Sequence, residues 1–194
     1  MWLLRSCLVA CVVSPLLAGA TFAQASVQST VGVLPTASAA AVAGSIAVSI
    51  GAGAVQSLGN VVDNVANTFP SSVSITLTWD LHPSTGAIQV IGYFANPAAA
   101  MTAGAVSIPS SWLRGRVLTA DAPGAPTAYT AFTQTGAGGV GSAGGSLSLL
   151  TQPVLGYSKT GTRTIDLQLQ LDLAGRVLTP GSYSGTLNIR AITQ

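Results

Sequence analysis

Trp112, Arg114 and Arg116 are each two residues apart, so on an extended strand their side chains leave the same face, with Leu113, Gly115 and Val117 on the other. An indole beside two guanidiniums can stack on a sugar ring or hold an anionic group, and these three residues form the candidate ligand surface. The same spacing puts Asp80 and His82 on one side of another strand, where a serine from elsewhere could complete a nucleophile, base and orienting acid. His82, however, immediately precedes a turn proline, where a solvated polar residue is expected in any case, and serine is too common here to single one out. Asp166 and Asp172 lie about 20 Å apart along a strand, too far to flank one glycosidic bond, and are expected as solvated positions on its wet face.

Other chemistries lack their residue types. With one histidine, no glutamate and both cysteines near the N-terminus, a transition-metal site has too few ligands. Calcium could draw on Asp80 or Asp121, but the closely spaced acids of an EF-hand loop are missing. Glycine-rich Gly136 to Gly145 is followed by no lysine or helix start, so it reads as a flexible loop and not a phosphate cradle. The expectation is a protein with no catalytic residues, no metal and no cofactor, and not an enzyme.

The elements that must position these residues are strands. Ile165, Leu167, Leu169, Leu171 and Leu173 alternate with Asp166, Gln168, Gln170 and Asp172, and no helix could use that period. After a Pro-Gly turn, Gly181 to Ala191 reads as the last strand. Val73, Ile75, Leu77, Trp79 and Leu81 alternate in the same way, and Ile88 to Phe94 is predicted to return beside them as a hairpin across the His82 to Gly86 turn. Further strands are predicted near Ala105 to Ile108, Trp112 to Leu118, Ala128 to Thr133 and Ser146 to Leu150. About seven or eight strands without alternating helices imply an all-β, immunoglobulin-like antiparallel sandwich.

At the N-terminus, Arg5 precedes an apolar run from Cys7 to Ala18, and Ala23-Gln24-Ala25 supplies the small residues of a secretory cleavage site. Residues 1–25 are read as a signal peptide, with Leu8-Val9-Ala10-Cys11 as the competing lipidation site. Beyond it the chain has no cysteine, so a hydrophobic core and not disulfides must hold it. Arg114, Arg116, Lys159, Arg163, Arg176 and Arg190 stand against five aspartates, too even a balance to attract nucleic acid or an anionic membrane by field alone. A charged fraction of 6% repels neighbours poorly and favours association.

Residues 26–70 read as an Ala/Gly/Ser-rich, low-charge extension ahead of a sandwich domain at 71–194, with Pro70 as the boundary. Ile46, Val48 and Ile50 alternate with small residues and form a candidate donor strand; Val27 to Val33 is a second. Leu58, Val62, Val65 and Phe69 fall at helical spacing and predict one short amphipathic helix. The uncharged Ala37 to Val55 is mostly Ala, Gly and Ser, whose transfer into lipid is barely favourable, so no stable membrane span is expected after signal cleavage. A membrane barrel would need two aromatic girdles, which this chain is too poor in aromatics to build.

The ending Leu178-Thr179-Pro180-Gly181-Ser182-Tyr183-Ser184-Gly185-Thr186-Leu187-Asn188-Ile189, preceded by Arg163 to Leu173, resembles the close of spore coat U and Csu-type pilin domains. The resemblance covers about thirty residues. It implies an immunoglobulin-like sandwich lacking one strand, completed by a neighbouring subunit's N-terminal segment. The function expected from it is that of a secreted, cell-surface structural or adhesive protein whose partners are further copies or other subunits. The alternative is a monomeric extracellular module that binds carbohydrate or another ligand, so a glycan is also an admissible partner.

Overall fold

A computed structural model describes residues 24–31 as a strand without its side chains, and residues 45–81, 86–136, 138, 140–155 and 159–194 in full. His82, most of the signal segment and Val33 lie outside the described residues. The strands in chain order are β1 (Gln24–Val31), β2 (Ser45–Ile50), β3 (Val55–Asn60), β4 (Ala66–Asp80), β5 (Ala87–Tyr93) and β6 (Met101–Ala103), followed by β7 (Val106–Ile108), β8 (Leu113–Val117), β9 (Thr130–Ala131), β10 (Ser146–Pro153), β11 (Thr160–Asp172) and β12 (Ser182–Thr193). They form two sheets. One runs β10-β5-β12-β1-β3, with β6 and β7 attached beside β12, and the other runs β2-β4-β11-β8-β9. The protein is an all-β sandwich, and all pairings within it are antiparallel except β1 against β12 and the isolated Asn64–Ala174 bridge.

The alternation of β11 is realised residue by residue. Ile165, Leu167, Leu169 and Leu171 are buried, while Asp166, Gln168 and Gln170 stay partly exposed on the outer face. Val73, Ile75, Leu77 and Trp79 of β4 lie in the core beside them, and β5, β10 and β12 supply the opposite wall through Ile88, Val90, Leu147, Leu149, Leu187 and Ile189. Each such side chain removed from water contributes roughly 1.5–3 kcal/mol. That gain serves in place of the missing disulfides.

Four sequence expectations are corrected. The β4–β5 hairpin does not form: both flanks of β4 are taken, by β2 and β11, and the chain crosses to the other sheet before β5 begins. The helix predicted over Leu58, Val62, Val65 and Phe69 is instead β3, a turn and the start of β4, with Phe69 in the core and Val62 and Val65 exposed. Local polar bonds compete with a helix here. The Asn67 side chain accepts from the Val62 N–H and donates to the Val62 and Val65 carbonyls, and Asn64 takes a left-handed conformation at φ 63°. Nor is Pro70 a seam. It lies inside β4, where the register against β11 shifts between Gln168 and Gln170, and a bulge tolerates its missing N–H. Among the described residues the strands number twelve where about seven or eight were expected, and β6, β7 and β9 are only two or three residues long.

The described strands of the expected extension are also part of the sandwich. Ile46 and Val48 are buried in the common core, Ile50 packs against it, and β2 pairs with β4 from Ser45–Asp80 to Ile50–Ile75. These candidate donor residues therefore fill their own chain's core.

At the head of β12, Tyr183 is buried and its hydroxyl donates to the Thr179 carbonyl oxygen at 2.8 Å. Burial raises its pKa above the ordinary 10.0, because the tyrosinate would lose its hydration. A raised folded-state pKa favours the neutral form. The stability this contributes is complete below the unfolded value and is lost as pH climbs from about 10 through the folded value. The melting temperature should fall above pH 10, and Tyr183→Phe should flatten that fall while costing about 0.5–1.5 kcal/mol at neutral pH for the lost hydrogen bond. Thermal melts of both proteins between pH 7 and 11.5 check this.

Candidate functional site

Trp112 closes a short 3-10 turn, Ser110–Trp112, that leads directly into β8. Leu113, Gly115 and Val117 of β8 are buried, so Arg114 and Arg116 share the outer face of the sheet, each partly exposed, while Trp112, one residue before the strand, is half-buried and packs against the core. The register against β11 sets Arg114 opposite Gln170 and Arg116 opposite Gln168.

Two clusters result. In the first, Arg114 Nη2 donates to Asp172 Oδ2 at 2.5 Å, and Arg176 Nη1 donates to the Asp172 carbonyl oxygen at 3.0 Å. The Arg176 guanidinium then lies over the Trp112 ring, 4.8 Å from its centroid. Asp172 also accepts from the Ala174 N–H through Oδ1 at 3.1 Å. Its side chain is only 11% exposed, which corrects the expectation that Asp172 is a solvated position. In the second cluster, Arg116 donates through Nε and Nη2 to Gln168 Oε1 at 3.1 and 2.7 Å, and the Tyr129 hydroxyl donates to the same oxygen at 2.9 Å. The Arg116 guanidinium covers the Tyr129 ring at 4.5 Å.

Sequence reasoning placed Arg114 and Arg116 on one face of a strand, expected Trp112 in that strand where it closes the 3-10 turn before it, and missed the contacts of Gln168, Asp172, Arg176 and Tyr129. The only signal was the run of polar side chains on the outer face of β11, and nothing local told which strand would lie beside it. Chemically, the arrangement laces β8 to β11 and to the two adjoining loops. Each aromatic ring already carries one of the chain's own guanidiniums on a face, and both arginines of β8 are hydrogen-bonded. With Arg114 40% exposed, such pairs contribute modestly, about 0.2–1 kcal/mol each.

A concavity lies on the other sheet. β12 pairs with β5 from Asn188 onward and with β6 at Ser184, and the chain detours between them through the 3-10 turn Pro97–Ala99. The detour leaves an open hollow of about 210 Å³ lined by Phe94, Asn96, Ala100 and Thr186 among others. It holds no titratable side chain. Among the described residues no three of His, Cys, Asp and Glu are grouped to hold a metal ion, and no helix is long and apolar enough to cross a membrane.

Fold and surface together define an all-β sandwich protein with a neutral hydroxyl- and amide-rich exterior. Neither the models of protein families nor the curated proteins contain a match to the chain.

Proposed function

We propose that this is a secreted structural or adhesive protein of the cell surface, akin to pilin and spore-coat domains, which assembles by strand donation between immunoglobulin-like sandwiches. The observation that carries this reading is the placement of β1. This N-terminal strand runs parallel to β12 from Gln24–Ser182 to Val31–Ile189 and antiparallel to β3 on its other flank. A slot bounded by the final strand is thus filled by a segment remote in sequence, and the same slot would accept the same segment from a neighbour. Of the two candidate donors, β1 suits exchange better than β2, because Ile46 and Val48 are part of the core. The low charge and the secretory N-terminus support the location.

The test removes β1 alone. The secreted protein starting at Ser26 should form oligomers by size-exclusion chromatography with light scattering. A variant lacking Ser26 to Val31 should be monomeric with a lowered melting temperature, and a synthetic peptide of Gln24 to Val33 should restore that temperature. A wild-type monomer at every concentration would remove the assembly reading and leave the monomeric binding module, for which a defined glycan affinity is then the measurement. The rings of Trp112 and Tyr129 each already carry an arginine on one face, which weighs against that alternative.

A further inference from the structure

The two lateral sides of the sandwich are finished differently. On one side both sheet edges are closed by the loops between β8 and β10. The Pro126 carbonyl accepts from the Val117 N–H and the Pro123 carbonyl from the Thr151 N–H, each at 2.7 Å. Gln134 exchanges backbone bonds with Ser146, and its side chain accepts from the Ser148 N–H at 2.8 Å. β10 itself ends in Pro153. Such devices keep edge strands from pairing with other chains.

On the opposite side the edge strands are β2 and β3. β3 is irregular, with Gly59 at φ 64° and a register shift opposite Gln24 and Ser26. β2 is not: Ser-Ile-Ala-Val-Ser-Ile is six residues without charge, proline or glycine, in unbroken register with β4. Gly51 donates to the Ser74 carbonyl oxygen at 2.8 Å at the end of this ladder, so the hydrogen-bonded pairs above it are Ser49–Thr76, Ala47–Thr78 and Ser45–Asp80. The N–H and C=O groups of Ile46, Val48 and Ile50 therefore point away from β4 along the edge, and no other described strand pairs with them.

We infer that the β2 edge is an interface for a second copy of this chain, pairing antiparallel with its own β2 about a two-fold axis. A second copy fits because the edge is self-complementary in backbone groups and carries no charge to repel itself. The side chains of Ser45, Ala47 and Ser49 are small and exposed, so two outer faces can meet without a clash. A short, neutral, proline-free segment rich in β-branched residues is the kind that pairs strand to strand. This inference rests on the self-association of the proposed function but not on strand donation, since β2 keeps its place in the core while its edge is used.

Hydrogen exchange on the secreted full-length protein, followed by residue across a concentration series alongside light scattering, tests it. As dimer forms, the Ile46, Val48 and Ile50 amides should slow about tenfold or more, while those of Ser45, Ala47 and Ser49, bonded already in the monomer, should not change. Ala47→Lys with Ser49→Lys sets like charges across the two-fold and should abolish both the dimer and the concentration dependence, leaving the melting temperature near wild type. A wild-type protein that stays monomeric overturns the interface. So do oligomers in which the three amides exchange at the monomer rate; that result would leave strand donation standing. A folded double-lysine variant that dimerises as before overturns it as well.

Discussion

Truncating Phe132 to alanine is expected to destabilise the protein by about 3–5 kcal/mol, the largest effect of any single side chain considered. Phe132 is fully buried although it stands in a loop just beyond β9. Its ring meets Phe94 edge-on at 5.1 Å and 76°. It also occupies space that two glycines leave open, one on each sheet. A methyl group on Gly92 would lie 3.3 Å from the ring, and one on Gly115 likewise 3.3 Å, with Leu147 and Leu167 at 3.0 and 3.1 Å. The ring therefore ties the crossing loop to both walls, and its loss should lower the melting temperature by roughly 10 °C. A double-mutant cycle gives the sharper check. Gly115→Ala should destabilise the wild type by overpacking, yet stabilise the Phe132→Ala background by filling part of the void. A Gly115→Ala effect of the same sign and size in both would show that the ring does not fill this space.

Gly185→Ala should cost about 1–3 kcal/mol or more, for a different reason. Gly185 lies in β12 within the Ser-Tyr-Ser-Gly-Thr-Leu stretch, and a Cβ there would overlap the Ala100 carbonyl oxygen and come within 2.9 Å of Met101 Cγ. Met101 and Ala100 are buried, and the obstruction is backbone, so no side-chain rotation relieves it. The head of β6 must be pushed off β12, breaking the Ser184–Thr102 pairing. Thermal melts give the magnitude. Hydrogen exchange should locate the loosening at residues 100–103, with the β4–β11 ladder unaffected; uniform loosening would argue against a local clash.

Both sites show where sequence reading stops. Gly92, Gly115 and Gly185 read as ordinary glycines in strands, and only the partner across the sandwich or on the next strand reveals why a Cβ is excluded. Asp172 read as one more polar residue on a wet face. Arg114 and Arg176 converge on it from elements 58 and 4 residues away along the chain, and their convergence depends on the register of β8 against β11. The helix predicted through Leu58 to Phe69 rested on four apolar residues at helical spacing, a pattern that short strands and turns produced by coincidence. Against it stood Gly59, Asn60, Asn64 and Asn67, whose preference for turns was visible in the chain.

What the chain determined by itself is local. The two-residue period of β4 and β11, the inward set Ile165, Leu167, Leu169 and Leu171, and the common face of Arg114 and Arg116 follow from strand geometry at each residue, with no knowledge of neighbours. The all-β class follows in turn, because several such strands can bury their apolar faces only against one another. Which strands become neighbours was decided by the tertiary structure alone. β4 and β5, like β11 and β12, are consecutive in the chain yet lie on opposite sheets, and β1 reaches the far end of the sequence to lie beside β12. Backbone hydrogen bonds are the same for any pair of strands, so pairing is selected by how the whole set of apolar faces packs, and that is a property of the assembled core.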